Sequence, residues 1–295
     1  ISLICLRGKT DYVTFAFGAE QWFGEPWYKT PDNLLDFSGV QTMAITTLPT
    51  RPQMSEAEWE TRCDLAALYH VLDYYRMTDM IYTHMTARIP GEENTFLINN
   101  YGDLFDEVTA SSLVKMDMQG NVIGDQDSFN LAGFTIHSGV YKARPDAQCV
   151  MHTHTRAGIA VSISKKGLLP ISQDAALLMG DLAYHDYGTP STESECEALG
   201  RSCQNGNSII LRNHGLLTVG QSIPAAFSRM YRLEHACSAQ VAAMSLNDEL
   251  INIEPQVLEE VRAKYGAFDS SAESGQREWG AMLRMLERKG IDYRR

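Results

Sequence analysis

Behind Ser55-Glu56-Ala57-Glu58, the residues Trp59, Cys63, Ala66, Ala67, Tyr69, His70, Leu72 and Tyr75 recur every three or four positions. That period lines one face of a helix, and the S-x-x-E opening has the form of a capping box, so an amphipathic helix of about five turns is predicted. Residues 50–54, which contain Pro52, form its entry. Next, Tyr82–Ile89 and Phe96–Ile98 flank a polar Gly-Glu-Glu-Asn turn and predict a strand pair. Val114–Asp117 and Asn121–Ile123 flank Gln119-Gly120 and predict a further hairpin. The spacing turns helical from Phe134 to Lys142 and ends before Arg144-Pro145.

Cys149-Val150-Met151 and Ser208–Leu211 are short apolar runs that predict buried strands, and each delivers a histidine soon after its start or end. Residues 155–163 suit a short helix, and residues 222–246 a long Ala-rich one. The Met and aromatic stripe of that long helix is packing surface, because burial alone selects such residues at helical spacing. Residues 265–280 are small, polar and Gly-rich, and predict a tail segment lying across a neighbour. Strands and helices alternate over residues 55–250, so one α/β domain is expected over residues 51–250. Residues 1–50 are read as an extension of unknown role, and 251–295 as a C-terminal tail with an intersubunit role. The chain opens at Ile1, read as a processed or truncated start, with Met43 a plausible natural one.

Composition narrows the partners. With 25 Lys and Arg against 37 Asp and Glu, the net charge is −12, which argues against nucleic acid, since phosphate binding needs surplus cations. No apolar run approaches the roughly 20 residues of a membrane helix. Six cysteines (Cys5, Cys63, Cys149, Cys196, Cys203, Cys237) show no CxxC spacing and are expected as reduced thiols in a cytoplasmic protein.

The chemistry concentrates in histidines. In an extended backbone, His152 and His154 project from one face, so both imidazoles can reach one ion. Arg212-Asn213-His214-Gly215 follows the second buried strand, and Gly215 permits a sharp turn beside the site. A lone histidine at a strand end is most often a hydrogen-bonded residue; three converging ones suit one divalent zinc, manganese, iron or cobalt ion per chain, with positions left open for substrate.

Arg144-Pro145-Asp146…Val150-Met151-His152-Thr153-His154 with Leu211–Leu217…Gly220 resembles the class II aldolase/adducin family, as do Phe96–Asn99…Gly102 and Val114–Gly120. The resemblance spans about residues 55–245. It implies a three-layer α/β/α fold around a mixed sheet, a cyclic homotetramer or a pair of such rings with sites at subunit interfaces, and an ion held by His152, His154 and His214. It assigns Asn99, Tyr101, Gly133 and His137 to substrate binding.

The family pattern also breaks. Gly133 stands where sugar-phosphate aldolases carry a catalytic glutamate, four residues before His137. The phosphate-holding serine pair becomes Leu131-Ala132, a Gly-Asn pair becomes Thr83-His84, and a Thr-Gly pair becomes Tyr101-Gly102. A tyrosine proton donor is replaced by Asp174, or by Gln173. An unmatched phosphate would be costly, so the substrate is expected to be a small molecule without phosphate. The space at Gly133 is expected to admit a substrate carboxylate. His84, Gln173, Asp174, Tyr184 and His185 are the candidates for the missing acid–base group. The expected activity is carbon–carbon lysis, aldolase- or decarboxylase-like; the family includes a pyridine dicarboxylate decarboxylase, and decarboxylation needs no base to begin. A non-haem iron oxygenase and a non-catalytic adducin-like protein with cytoskeletal partners are the alternatives.

Overall fold

A computed structural model describes residues 54–92, 94–124, 129–189, 192–269 and 271–295; the expected extension over residues 1–50, with Met43, lies outside them. The first helix, α1 (Glu56–Tyr74), starts where the capping box predicts, with the Ser55 hydroxyl accepting from the Glu58 amide. Its apolar face, from Leu65 to Leu72, is buried almost completely. Two charged groups are buried with it. Arg62 lies beside Glu58 at 2.9 Å and donates to the carbonyls of Ala110 and Leu113, while Lys115 closes the network on Glu58. Those partners satisfy a guanidinium that could not otherwise be held away from water.

Seven strands form one mixed sheet: β1 (His84–Arg88), β2 (Thr95–Ile98), β3 (Val114–Asp117), β4 (Cys149–Thr153), β5 (Leu182–His185), β6 (Ser208–Leu211) and β7 (Gly215–Gly220). Their order is β3-β2-β1-β4-β7-β6-β5. Only β5 and β6 run parallel; the other neighbours are antiparallel. The predicted hairpin around Gln119-Gly120 closes on the edge of β3 that β2 leaves open, through a bridge between Met116 and Val122 and hydrogen bonds from the Asp117 amide to the Asn121 carbonyl and from the Ile123 amide to the Lys115 carbonyl. A strand pair did form where expected, between β1 and β2.

Helices α2 (Leu131–Ala143) and α5 (Glu193–Cys203) cover one face of the sheet. There Val140, Tyr141 and Leu199 meet Phe96, Val150, Ile209 and Leu217. Gly139 makes this crossing possible: a Cβ on it would lie 2.6 Å from the Cys196 carbonyl oxygen. The other face carries α1, α3 (Arg156–Ile163), α4 (Gln173–Leu178), α6 (Ile223–Met244) and α8 (Gln276–Arg288), packed on Met85, Cys149, Met151 and Leu216. The result is the expected three-layer α/β/α arrangement.

Helix α7 (Pro255–Asp269) packs on α4. Residues 265–280 hold its end and the start of α8, rather than an irregular tail. Composition hid this, because the burial of Trp279 and Leu286 against α1 and α6 is what orders α8. Beyond it, the Tyr293 and Arg295 carbonyls accept from the Ala110 and Ser111 amides of the same chain. None of the five described cysteines is in a disulfide, and four of them are buried. Among the described residues no helix is long and apolar enough to cross a membrane.

Candidate metal centre

Strand alternation places Val150 and His152 of β4 toward α2, and Cys149, Met151 and Thr153 toward α6. His154 follows one residue beyond the strand. His214 arrives by a different route: β6 ends at Leu211, and a three-residue turn reverses the chain into β7 at Gly215. Asn213 takes the left-handed conformation in that turn, at φ 60°. A Cβ on Gly215 would lie 2.3 Å from the Thr153 carbonyl oxygen. Only glycine therefore lets the turn press against the end of β4, and this brings His214 onto the other two histidines.

One nitrogen of each of the three rings falls within 4.8 Å of the others. Two outer nitrogens are tied: His152 Nδ1 donates to the Leu216 carbonyl at 2.9 Å, and His154 Nδ1 to the Asp79 carboxylate at 3.0 Å. Both partners are acceptors only, so each ring, when neutral as a metal ligand must be, carries its proton on Nδ1 and keeps a bare lone pair on Nε2. Those two Nε2 atoms face each other at 2.9 Å. Two lone pairs at that distance repel, and a cation between them removes the repulsion. The outer bonds are also the kind that orient ligand histidines. Burial, reinforced by His214, His84 and His154, holds His152 well below its usual pKa. Burial first and then His154 and His185 push His214 down to about 4. Both are therefore neutral ligands at pH 7, and the site fits a divalent ion.

A fourth imidazole stands beside the three. The β1–β4 register pairs His84 with His152, and their ring centroids are 5.3 Å apart. His84 Nδ1 lies 2.9 Å from His137 Nε2, and His137 Nδ1 lies 2.6 Å from the Thr86 hydroxyl, which in turn meets the Tyr141 hydroxyl at 2.8 Å. Burial holds both His84 and His137 well below the usual histidine range. This overturns the expected space at Gly133. A Cβ there would lie 2.7 Å from His84 Cδ2, so the His84 ring occupies the room a carboxylate would need.

Thr83, just before it, is a β-branched residue at φ 68°, and its buried Oγ1 has no hydrogen-bond partner among the described residues. Both features cost stability, by about 1–2 kcal/mol for the backbone and about 1–3 kcal/mol for the hydroxyl. Thr83→Gly relieves both and gives some back through the freedom of the unfolded chain. A net gain of about 1 kcal/mol in urea unfolding is expected; a loss of that size would show that the hydroxyl is satisfied in solution.

His185 stands close enough to His214 to lower its pKa. Asn99 is buried beside Met85, where its Oδ1 accepts from Tyr69, one bond away from the start of β1. Tyr101 is 40% exposed. Asp174 bonds His235 of α6 at 2.6 Å, and Gln173 opens the same short helix, in a cleft lined by Arg232 and Arg262. Tyr184 turns its hydroxyl to the Leu168 amide and lies under Arg212. His185 is held by Ser202 and Glu195. Asp174, Tyr184 and His185 are thus engaged in contacts of their own, because α4 packs toward α6 and β5 lies at the sheet edge. Sequence reasoning missed Asp79, Thr86 and Tyr141. The His84-x-Thr86 and His137-x-x-x-Tyr141 spacings, two and four residues on one face each, were the available signal for the last two.

Similarity to known proteins extends over most of the chain. The sequence profile of the class II aldolase and adducin N-terminal domain matches residues 63–241. A Pseudomonas aeruginosa protein, provisionally named an aldolase class 2 protein, is 44% identical over 257 residues, covering 85% of this chain and 99% of the relative. Mouse alpha-adducin is 42% identical over 253 residues, 79% of this chain but 34% of the adducin. The crystal structure of an aldolase II superfamily protein from Pseudomonas syringae superposes with a TM-score of 0.79 at 45% identity, over 83% of this chain and 99% of that one. L-fuculose 1-phosphate aldolase from Glaciozyma antarctica superposes at 0.71 with 29% identity, over 81% and 93%. The chain belongs to the class II aldolase and adducin family.

Proposed function

We propose that the protein is a divalent-metal-dependent carbon–carbon lyase acting on a small carboxylate-bearing substrate without phosphate. The observation that carries the reading is the pair of bare Nε2 atoms of His152 and His154, completed by His214. When bound there, a divalent ion (zinc, manganese, iron or cobalt) supplies Lewis acidity that polarises a substrate oxygen. The chain's own residues do the rest. His84 sits against the ligand group, and His137 and Thr86 hold its ring in place. The described groups bonded to or stacked on these four imidazoles are Asp79, His137, Tyr187 and the Leu216 carbonyl. None is a lysine or arginine to match a phosphate dianion. No carboxylate stands at Gly133 to abstract a proton, which favours decarboxylation, a cleavage that begins without a base.

Met80, Tyr82, Tyr101 and Leu104 are all exposed on the loops that leave the adjacent ends of β1 and β2. They support a homo-oligomer, a tetramer, whose subunits meet near this end of the sheet. An adducin-like role without catalysis is the second reading, favoured by the 42% identity to alpha-adducin.

The metal-loaded protein is expected to release no dihydroxyacetone phosphate from L-fuculose 1-phosphate, and to release carbon dioxide anaerobically from hydroxy-carboxylates. Gly133→Glu should not create the aldolase, because its side chain must displace His84, an overpacking cost of about 1–3 kcal/mol. Appreciable turnover of the sugar phosphate by the unaltered protein refutes the proposal. Turnover that requires dioxygen and ferrous iron replaces it with an oxygenase. Full metal occupancy without any turnover favours the adducin-like role.

A further inference from the structure

The four side chains Tyr141, Thr86, His137 and His84 form a single file of hydrogen bonds, and each link constrains the next. Tyr141 is 1% exposed and Thr86 fully buried, so neither hydroxyl can turn to water. The Tyr141 hydroxyl proton has one acceptor among the described residues, Thr86 Oγ1 at 2.8 Å. Thr86 then accepts from Tyr141, and its proton has only His137 Nδ1, at 2.6 Å. The alternative leaves a buried hydroxyl proton unbonded, at about 1–3 kcal/mol.

The rest follows from the chemistry of a neutral imidazole, which holds one proton. His137 accepts at Nδ1, so its proton sits on Nε2 and is donated to His84 Nδ1, 2.9 Å away. His84 accepts at Nδ1, so its proton sits on Nε2. That outer nitrogen has no protein partner among the described residues, and the ring stands 5.3 Å from that of His152. Protonation state is not the variable: in either direction of the file both histidines stay neutral, and only the position of the proton differs.

We infer that Tyr141, through Thr86 and His137, fixes His84 as the Nε2–H tautomer, so that the site presents a neutral hydrogen-bond donor beside the metal ligands and selects a substrate oxygen that accepts, such as a carboxylate. This rests on the reading of the site as substrate-binding, and it gives His84 a role other than base: a nitrogen that already carries its proton cannot take one from the substrate. Tyr141 and Thr86 are positioning residues, since neither reaches the site itself.

The test is the ring-nitrogen spectrum of the 15N-labelled full-length chain with zinc added, in which long-range proton–nitrogen correlations distinguish the two neutral tautomers. The His84 signals are identified by their loss in His84→Gln. Protonation at Nε2 is expected in the unaltered protein, and in Thr86→Ser, which keeps the hydroxyl. In Thr86→Val, and in Tyr141→Phe, which keeps the ring and its packing, the file loses its direction and the Nδ1–H form of His84 should rise to a substantial fraction. A His84 protonated at Nδ1, or bonded to zinc, in the unaltered chain overturns the inference. So does a His84 tautomer that both Thr86→Val and Tyr141→Phe leave unchanged. Zinc occupancy measured on the same samples reports separately on the metal site, so its failure is distinguishable from failure of the file.

Discussion

Alanine at His152, His154 or His214 is expected to remove the metal: elemental analysis of the unaltered protein should give about one divalent ion per chain, and any of the three variants close to none. The expectation follows from the number of inward nitrogens. Three rings each offer one nitrogen within 4.8 Å of the others, so loss of one leaves two neutral ligands and an open coordination sphere. Asp79→Ala makes a graded comparison. It removes the acceptor that ties His154 Nδ1 without removing a ligand, and outer partners of this kind are worth about 10–100-fold in affinity, less than a ligand itself. The order of affinities should therefore be unaltered protein, then Asp79→Ala, then the three histidine variants. His152→Ala also frees the buried Leu216 carbonyl, so thermal unfolding should accompany its metal analysis. Retention of full occupancy by any two of the three histidine variants would remove the basis for the proposed function.

Metal-free protein should lose stability steeply as pH falls through the histidine range. An unfolded histidine titrates near ~6.5. In the folded chain burial holds His84, His137 and His152 well below that value, and His214 at about 4. The unfolded state therefore binds more protons, and the contribution of these rings is complete above about pH 6.5 and drains away below it. Each pH unit costs about 1.4 kcal/mol per ring in this window, so several kcal/mol should be lost by about pH 5. Depressed carboxylates such as Asp146 titrate lower, outside that window. Asp64 and Glu234, whose carboxyls burial pushes up, act in the opposite sense and cannot produce the loss. Urea unfolding between pH 7.5 and about 5 measures it. Added zinc should restore stability near neutrality and fail to do so as protons compete for the same nitrogens. A flat profile would mean that some of these rings are charged in the folded chain.

Periodicity and capping chemistry were enough to place α1, from Ser55 to its buried face, because both are local properties of the backbone. The same holds for the strands that carry His152 and lead to His214, and for the shared face of the HxH pair. The altered phosphate positions were legible too, since they are statements about residue type. Helix α8 and the pairing of β3 with β2 were not: Gly-rich composition concealed the helix, and a pairing between strands of separate hairpins leaves no local signal.

What the chain alone could establish, then, was which residues share a face and which types of group could bind an ion. What the tertiary structure decided was which faces meet. His84 lies 68 positions before His152 and faces it only because β1 pairs with β4 as well as β2. Gly133 looked like empty space in sequence, and the His84 ring fills it. Asp174 and Tyr184 looked like acids beside the ion, and instead bond His235 and the Leu168 amide. The physical reason is the same throughout. A side chain's direction follows from the backbone period of its own element, whereas its neighbours follow from how seven strands and their covering helices bury their apolar faces together.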